Sequence, residues 1–320
     1  KFAQVSVNNA FSCGLATNGQ AYCWGLNSFG QLGDGTTQTR ATPVPVAGNH
    51  VFVEIGTGFG EGCGRTANGE IWCWGTNQQK QLGVADATIG TYQNGAQIVP
   101  CSMVPVRAAG TMTFTAMSVG FWGVCGLLNA QAWCWGSLSG ASGTPTPTLA
   151  PGGLTLSAIS NGSLYWCGLD PSQHASCWGF NLSGELGNGT TISSTNPVSV
   201  AGGLTFASIA TKNMNNIDDT TCGITPSGDA YCWGSNFSGE LGAPAPNTCA
   251  LNQNNTFACS LTPSHLFGQE HYRQISVGSR HACGVTTTDA VFCWGSGLTG
   301  RLGNGSTTNQ TVPAPTVRSF

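Results

Sequence analysis

The sequence predicts an all-β protein: a single β-propeller of six four-stranded blades, or seven if a further blade lies outside this chain. The main observation is a phrase ending in Cys-Trp-Gly that recurs six times, at 23–25, 73–75, 134–136, 177–179, 232–234 and 293–295. A period of 43 to 61 residues built from strands and turns is typical of propeller blades. Gly contributes 47 of the 320 residues and charged residues only 7%, which indicates a turn-rich chain.

The first repeat, residues 2–48, shows how one blade is built. "FAQVSVNN" alternates apolar and polar residues and predicts a strand, and "AFSCGLA" and "QAYCWGL" predict a second and a third. Between the second and third lies Asn18-Gly19, which is typical of a tight hairpin turn. A Gly-rich loop, "NSFGQLGDGTT", follows, and the Pro-containing "ATPVPVAG" predicts a fourth strand at the edge of the sheet.

The same pattern divides the whole chain into blades. The predicted blades lie at about 1–48, 49–107, 108–153, 154–202, 203–268 and 269–320. The C-terminal "VPAPTVRSF" followed by the N-terminal "KFAQVSVNN" resembles the mid-chain junction "NPVSVAGGLTFASIATK". The two ends are therefore halves of one repeat junction, and we expect the termini to meet and close the ring, with the first and last blades sharing a sheet.

Fourteen of the fifteen cysteines fall into pairs. Six pairs, with members ten residues apart or nine in the third repeat, flank a predicted hairpin turn, and antiparallel partners there lie within reach of a disulfide. A seventh pair lies in an insertion of the fifth repeat. No pair has the C-x-x-C spacing of zinc or redox sites. We predict structural disulfides at Cys13–Cys23, Cys63–Cys73, Cys125–Cys134, Cys167–Cys177, Cys222–Cys232, Cys283–Cys293 and Cys249–Cys259.

Cys101 is left without a partner in this scheme. It lies in an insertion of the second repeat, far along the chain from the cysteine pair inserted in the fifth. An odd cysteine in an extracellular chain indicates either a disulfide to another chain or a free thiol. The sequence leaves both alternatives open.

A tryptophan follows the second cysteine of every repeated pair. The six are Trp24, Trp74, Trp135, Trp178, Trp233 and Trp294. A large ring beside a disulfide fits the gap between adjacent blades, so we predict that these side chains belong to the core. The alternative is a ring of exposed platforms on which sugars stack.

The repeat resembles that of the regulator of chromosome condensation family, whose consensus runs roughly "G…H.CAL…G.VY.WG.N..GQLG.G". The matching segments here include "CGLATNGQAYCWGLNSFGQLGDGTT", "CWGFNLSGELGNGTT", "CWGSNFSGELG" and "CWGSGLTGRLGNGST". The resemblance implies a β-propeller. Nuclear members of the family act as nucleotide exchange factors and dock on chromatin, but the paired cysteines and the lack of a basic stretch argue against both roles. The resemblance is closest in class to secreted, disulfide-bonded propellers such as the β-lactamase inhibitory member, which bind another protein.

The positions where the repeats differ are the better candidates for binding. The loop before the first cysteine of each pair carries varied side chains, among them aromatic residues of the kind that anchor partners. The predicted partner-binding residues are Phe59, Phe121, Trp122, Tyr165, Trp166, Arg280 and His281. The alternative is that several of them pack against neighbouring blades. "NMNNIDD" (213–219) offers oxygen atoms but lacks the order of a calcium loop, so no metal site or cofactor is predicted.

Composition and motifs narrow the class of function. The net charge of −3 and the lack of an apolar run of 18 residues give no reason to expect nucleic acid or membrane insertion. No catalytic motif such as G-x-S-x-G or H-E-x-x-H is present. We predict a non-catalytic extracellular protein-interaction or structural module of a larger assembly, whose partner is another protein or a second copy. The alternatives are a glycan-binding propeller and a secreted enzyme inhibitor.

Asn-x-Ser/Thr sequons are the remaining candidate sites. If the chain is secreted by a eukaryote, they are candidates for glycosylation. They occur at Asn161, Asn181, Asn188, Asn236, Asn254, Asn304 and Asn309.

Overall fold

The six repeats fold into six antiparallel sheets, and the protein is an all-β, six-bladed β-propeller. The structure is a computed structural model that describes residues 1–8, 10–94, 97–137, 143–162, 164–212, 219–252 and 255–317. The chain forms two compact units, Lys1–Gly153 and Leu154–Phe320, each with three blades.

In the first unit, two blades have four strands and the middle one has five. The strands are β1 (Phe2–Val7), β2 (Phe11–Ala16), β3 (Ala21–Gly25) and β4 (Arg40–Pro45); β5 (Phe52–Thr57), β6 (Glu61–Thr66), β7 (Ile71–Thr76), β8 (Gly90–Asn94) and β9 (Gln97–Arg107); and β10 (Ala116–Val119), β11 (Gly123–Leu128), β12 (Gln131–Gly136) and β13 (Thr144–Leu149). The second sheet has the order β5-β6-β7-β9-β8.

The second unit repeats this arrangement. Its strands are β14 (Ala158–Asn161), β15 (Tyr165–Leu169), β16 (Ala175–Gly179) and β17 (Ser194–Ser199); β18 (Ser208–Lys212), β19 (Thr220–Ile224), β20 (Ala230–Ser235), β21 (Asn247–Asn252) and β22 (Asn255–His265); and β23 (Tyr272–Gly278), β24 (His281–Thr286), β25 (Val291–Gly295) and β26 (Gln310–Pro315). The middle sheet has the order β18-β19-β20-β22-β21. The helical segments described are the short 3₁₀ turns Asp86–Thr88 and Leu298–Gly300.

The insertions of the second and fifth repeats extend their sheets. Each insertion forms a hairpin, β8–β9 or β21–β22, whose longer strand is also the fourth strand of the blade. The expectation of four strands per blade therefore holds for the shared framework, and each hairpin adds a fifth strand at the edge. The backbone donors and acceptors of an inserted segment need partners, and pairing with the existing edge strand supplies them.

Disulfides join all seven of the cysteine pairs that the sequence selects. In six of them the cysteines are directly opposite on the second and third strands of a blade, with Cα atoms 4.1 Å apart. The seventh, Cys249–Cys259, joins diagonal positions of the inserted hairpin and spans 5.8 Å between Cα atoms. Each closes a loop short enough to contribute roughly 2–3 kcal/mol on the chain-entropy model.

The core lies between adjacent blades, and the repeated tryptophans fill it. Trp74 is fully buried among Phe11, Leu32 and Phe52, and its Nε1–H donates to the carbonyl of Gln31 in the preceding blade at 2.9 Å. The same bond recurs from Trp135 to Gln81, from Trp233 to Glu185 and from Trp294 to Glu240. Trp178 is also buried, and Trp24 is half-buried against Phe2. The prediction that these rings belong to the core is confirmed for the five buried tryptophans, all except Trp24. Their burial rules them out as platforms for sugars.

The loop that receives each tryptophan is held by one asparagine. In the first blade, Asn27 Oδ1 accepts the N–H of Leu32 at 2.9 Å, and its Nδ2 donates to the carbonyl of Thr36 at 3.0 Å. Asn77, Asn181 and Asn236 accept from the leucine five residues ahead in the same way. The repeated "N…GQLG" phrase is therefore a folded loop that positions a carbonyl for the next blade.

The expectation that the first and last blades share a sheet is wrong for the described residues. The first sheet is built from residues 2–45 alone, and the last from 272–315 alone. In the part of the chain that the structure describes, β1 pairs with β2 and β26 with β25, so each blade is a complete meander of one continuous segment.

Candidate partner-binding surface

Two kinds of loop meet at one end of every blade. Successive strands of an antiparallel meander alternate in direction, so the turn between the first and second strands and the longer loop after the third emerge at the same end. This end carries the side chains that vary most between repeats. In the first unit they include Phe59, in the turn between β5 and β6, and Phe121 and Trp122, in the turn between β10 and β11.

These three side chains form an aromatic patch, the name used below for Phe59, Phe121 and Trp122. The ring centroids of Phe59 and Phe121 lie 4.5 Å apart, and those of Phe121 and Trp122 lie 5.0 Å apart. Phe59 is 44% exposed, Phe121 is buried and Trp122 is half-buried. The backbone N–H of Phe59 donates to the carbonyl of Phe121 at 3.3 Å. The structure thus brings together three of the seven predicted partner-binding residues.

A buried carboxylate fixes the turn beneath Phe59. Glu61 Oε2 accepts the N–H of Gly60 at 3.0 Å and the side-chain amide of Gln81 at 3.5 Å. A Cβ at Gly58 would overlap the carboxyl group of Glu61 and lie 2.5 Å from the carbonyl of Gly120. Glycine is therefore required there, and the aromatic patch rests on a turn with little freedom to move.

Tyr165 and Trp166 are both buried, and the structure places neither of them in the aromatic patch. Tyr165 is fully buried, and its hydroxyl donates to the carbonyl of Thr220 at 3.0 Å and accepts from Thr221 Oγ1 at 3.1 Å. Trp166 is buried and stacks on Trp178 at 6.4 Å. Both lie at the start of a central strand, and Tyr165 packs against the next blade.

Sequence reasoning missed a buried acidic pair in the second unit. Glu185 and Asp219 are both fully buried and interact with each other, and Glu185 Oε2 accepts the N–H of Ser183 at 2.7 Å. Burial raises the pKa of Glu185 to about 7. Burial, with the nearby charge of Asp219, raises the pKa of Tyr165 well above its usual value. The only signal in the sequence was Glu in place of Gln within the repeated "GQLG" phrase.

Arg280 and His281 lie at the same kind of blade end in the second unit. Arg280 is exposed, in the turn between β23 and β24. His281 is half-buried beneath it, with Nδ1 3.0 Å from the carbonyl of Ser279. Burial, with a smaller contribution from the charge of Arg301, lowers the pKa of His281. Arg280 is thus accessible to a partner, whereas His281 supports the turn.

Cys101 is a buried free thiol in β9. Its sulfur is hydrogen-bonded to the backbone of Tyr92 in the adjacent strand, and burial raises its pKa. The sulfur is buried and bonded to no cysteine of the described chain, which favours the free thiol over a disulfide to another chain.

The sequon asparagines differ in how much of the side chain is available. Asn161 and Asn181 are buried, and Asn181 is held by the loop bonds described above, so neither side chain is accessible in the folded protein. Asn309 is exposed. Those remaining in the described part of the chain are half-buried, namely Asn188, Asn236 and Asn304. Asn254 lies outside the described residues.

The described residues contain no group of three or more His, Cys, Asp or Glu side chains that could hold a metal ion. Most of the Asn- and Asp-rich segment considered for calcium, residues 213–218, lies outside them. No helix in the described part of the chain has the length and hydropathy needed to span a membrane.

Comparison with known families finds matches to one family of repeats. A profile of the regulator of chromosome condensation (RCC1) repeat matches residues 2–31, 218–240 and 272–301, and a second profile of that repeat matches 18–58. The chain is 27% identical over 304 residues to the ultraviolet-B receptor UVR8 of Arabidopsis thaliana, covering 92% of this chain and 64% of the receptor. It therefore spans less than two thirds of that relative's length.

Two solved structures share the fold. The yeast RCC1 protein Prp20, in a crystal structure bound to Kap60, matches with a TM-score of 0.80 at 18% identity, over 100% of this chain and 75% of that one. The ectodomain of the receptor kinase CR4 from Physcomitrella patens matches with a TM-score of 0.55 at 21% identity, over 92% of this chain and 61% of that one. At these identities the likeness shows the fold alone.

Proposed function

We propose that this chain, which is an RCC1-repeat β-propeller, is a non-catalytic protein-interaction module of an extracellular assembly and that the aromatic patch contacts its partner. The observation that carries the proposal is the exposed ring of Phe59, packed against Phe121 at a turn held by Glu61. Large aromatic side chains that are already fixed in place lose little entropy on binding and dominate the energy of protein interfaces.

The contrast with the repeated tryptophans supports this use of the patch. Five of them are buried, and four of these donate an Nε1–H hydrogen bond to the preceding blade. Their role is therefore to stabilise the fold. Phe59 and Trp122 break the repeat and keep exposed ring surface at a blade end. Side chains free of a structural task at such an end are the ones available to a partner.

The relatives support protein binding as the class of function. The Prp20 structure is that of a complex with the protein Kap60. The extracellular setting is supported by seven disulfides, which persist in oxidising compartments, and by the shared fold of a receptor-kinase ectodomain. The non-catalytic reading is supported by the position of the group with the most unusual acid–base properties, since Glu185 is fully buried away from any substrate.

Affinity isolation tests the proposal. The immobilised wild-type chain, Phe59→Ala and Phe267→Ala are each exposed to the fluid around the source cells, and retained proteins are quantified by mass spectrometry. Phe267 is the matched control, because it is a 64% exposed phenylalanine outside the patch. We expect a protein that wild type and Phe267→Ala retain and that Phe59→Ala retains at least about 30-fold less tightly, the effect of losing roughly 2 kcal/mol at an interface anchor.

Equal retention by all three proteins would overturn the assignment of the patch. A glycan array is the second arm, because exposed aromatic rings also stack on sugars. Glycan binding that Trp122→Ala abolishes, without a retained protein, would favour the lectin alternative and contradict the proposal.

A further inference from the structure

A second surface, in the other unit, combines apolar and positively charged side chains. Phe237, in the loop after β20, stacks on Phe257 of the inserted hairpin with centroids 4.5 Å apart and planes 13° apart. The guanidinium carbon of Arg280 lies 5.7 Å from the Phe237 ring centroid. Phe237 is 40% exposed while Phe257 is buried, so one face of the pair is fixed to the hairpin and the other remains open.

A second arginine lies beside this pair. Arg301 Nη1 donates to the carbonyl of Ser279, next to Arg280, at 3.4 Å, and its Nε donates to the carbonyl of Leu298 at 2.8 Å. Arg301 is exposed and Leu298 is 62% exposed. The basic-aromatic patch, as we call Phe237, Phe257, Arg280, Leu298 and Arg301, thus presents two guanidinium groups flanked by apolar surface.

The charge of this patch differs from that of the rest of the chain. The whole chain carries 10 basic and 13 acidic residues, a net charge of −3, so two arginines in one patch leave −5 on the remainder. Five other basic side chains each pair with a carboxylate, namely Arg40, Arg65, Lys80, Arg107 and Arg273. Among the described ion pairs Arg301 has none, and its bonds to two carbonyls hold it in place without neutralising it.

We propose that the basic-aromatic patch binds an acidic segment of a partner protein in which carboxylates flank an apolar side chain. Arg280 and Arg301 pair with the carboxylates, and Phe237 and Leu298 receive the apolar side chain. Arginine and aromatic residues are the types most enriched at protein interfaces, and a guanidinium held by its neighbours loses less entropy when it pairs.

The small number of basic side chains in the patch selects a short acidic segment over an extended polyanion. Sulfated glycans, nucleic acids and anionic membranes present long arrays of charge, which two arginines cannot match. An acidic peptide needs only two opposite charges and uses the apolar surface as well. The proposal concerns a surface separate from the aromatic patch, so either can fail without the other.

A labelled peptide tests the proposal directly. The probe is fluorescein-Glu-Glu-Phe-Glu-Glu-amide, and binding to the full chain is measured by fluorescence anisotropy at low ionic strength. We expect saturable binding that weakens as salt is added. Arg280→Gln or Arg301→Gln should weaken it at least about 3-fold each and the double variant about 10-fold, with Phe237→Ala also weakening it.

Two matched controls and one reversal make the result specific. Arg273→Gln removes an exposed arginine of the same blade that is paired with Asp289, and Phe59→Ala removes the aromatic patch; both should bind the probe as wild type does. The double variant Arg280→Glu/Arg301→Glu should lose the acidic probe and bind the counterpart with Lys in place of Glu.

Absence of saturation, or equal loss in Arg273→Gln, would overturn the proposal. Heparin oligosaccharides or anionic phosphatidylserine vesicles that bind more tightly than the peptide and displace it would also overturn it, in favour of a polyanion site.

Discussion

Blades two and five carry the same inserted hairpin, yet they secure it by different chemistry. In blade two, Cys101 of β9 lies opposite Thr76, and Tyr92 of β8 lies opposite Val99. In blade five the same register places Cys259 opposite Ser235 and Cys249 opposite Phe257. Cys101 is therefore the counterpart of Cys259, and Tyr92 occupies the position of Cys249.

This correspondence explains the odd cysteine. Cys101 is unpaired because its partner position holds Tyr92, whose ring instead makes an edge contact with Phe29 of the preceding blade at 6.5 Å. One hairpin is secured covalently and the other by packing and a buried thiol. The comparison teaches that an unpaired cysteine among paired ones need not point to another chain.

The two blades also differ in the loop on which their tryptophan rests. Trp74 of blade two bonds to the carbonyl of Gln31, and Trp233 of blade five bonds to that of Glu185. The amide of Gln31 is neutral, whereas Glu185 is a buried acid beside Asp219. The two blades share the geometry of this hydrogen bond, but only in blade five do we expect stability to depend on the pH through the receiving loop.

The largest expected effect tests what the blades share. Trp74→Ala and Trp233→Ala each remove a fully buried ring and its hydrogen bond, so each should lower the free energy of unfolding by about 3–5 kcal/mol. Urea denaturation of the two variants measures the loss. Trp24→Ala, at a half-buried ring, is the control and should cost less. A clear inequality between Trp74→Ala and Trp233→Ala would break the equivalence of the two blades.

The next effect tests the difference in charge. Burial raises the pKa of Glu185 from 4.5 to about 7, so the folded protein keeps a proton that the unfolded chain releases over this range. The stabilisation is fully present below pH 4.5 and is lost as the pH rises through about 7, by roughly 3 kcal/mol in all. Thermal unfolding between pH 4.5 and 8 should show this decline in wild type and a flatter profile in Glu185→Gln. Identical profiles would contradict it.

A smaller effect separates the two hairpins. The double variant Cys249→Ala/Cys259→Ala removes a ten-residue cross-link and should lower the free energy of unfolding by about 2–3 kcal/mol. Cys101→Ala removes only a buried thiol and should cost about 1 kcal/mol. Denaturation of both variants under non-reducing conditions measures the difference. Equal losses would mean that the hairpin disulfide does not stabilise blade five.

The smallest effect on stability is expected from a substitution that gives the hairpin of blade two the cysteine pair of blade five. Tyr92→Cys places a second sulfur diagonally across from Cys101, at the position where Cys249 faces Cys259. We expect a new disulfide, with stability changed by about 1 kcal/mol or less because the contact with Phe29 is lost. Thiol titration in denaturant without reductant should fall from one thiol to none. A titre of two would show that the hairpins do not share a register.

Much of the fold could be predicted from the sequence because the same pattern of strands, turn and cysteine pair occurs six times. Paired cysteines across a turn fix the register of each central hairpin, and a tryptophan beside a disulfide leaves few places other than the gap between blades. The fifth strands were harder to predict, because an insertion does not reveal whether it will pair with the edge of the sheet. The equivalence of Cys101 and Cys259 needed the pairing of β9 and β22.

The candidate site was predictable only in part, because sequence position does not fix exposure. Phe59 lies four residues and Tyr165 two residues before the first cysteine of its own repeat, yet Phe59 is exposed and Tyr165 is buried. The outcome depends on what the adjacent blade places opposite. Tyr165 hydrogen-bonds to Thr220 and Thr221 within the next blade, while Phe59 contacts Phe121 in a turn at the end of the next blade. The basic-aromatic patch likewise joins residues more than 60 positions apart, from Phe237 to Arg301.

Photo-crosslinking tests most directly the central claim that the repeats build the propeller and the residues that break them bind the partner. The photoreactive amino acid benzoylphenylalanine replaces Phe59 in one protein and Phe267 in another, and each is irradiated in the fluid around the source cells. A discrete crosslinked protein from position 59 and none from position 267 is the predicted result. The same pattern from both positions, or a product from position 267 alone, would contradict the account.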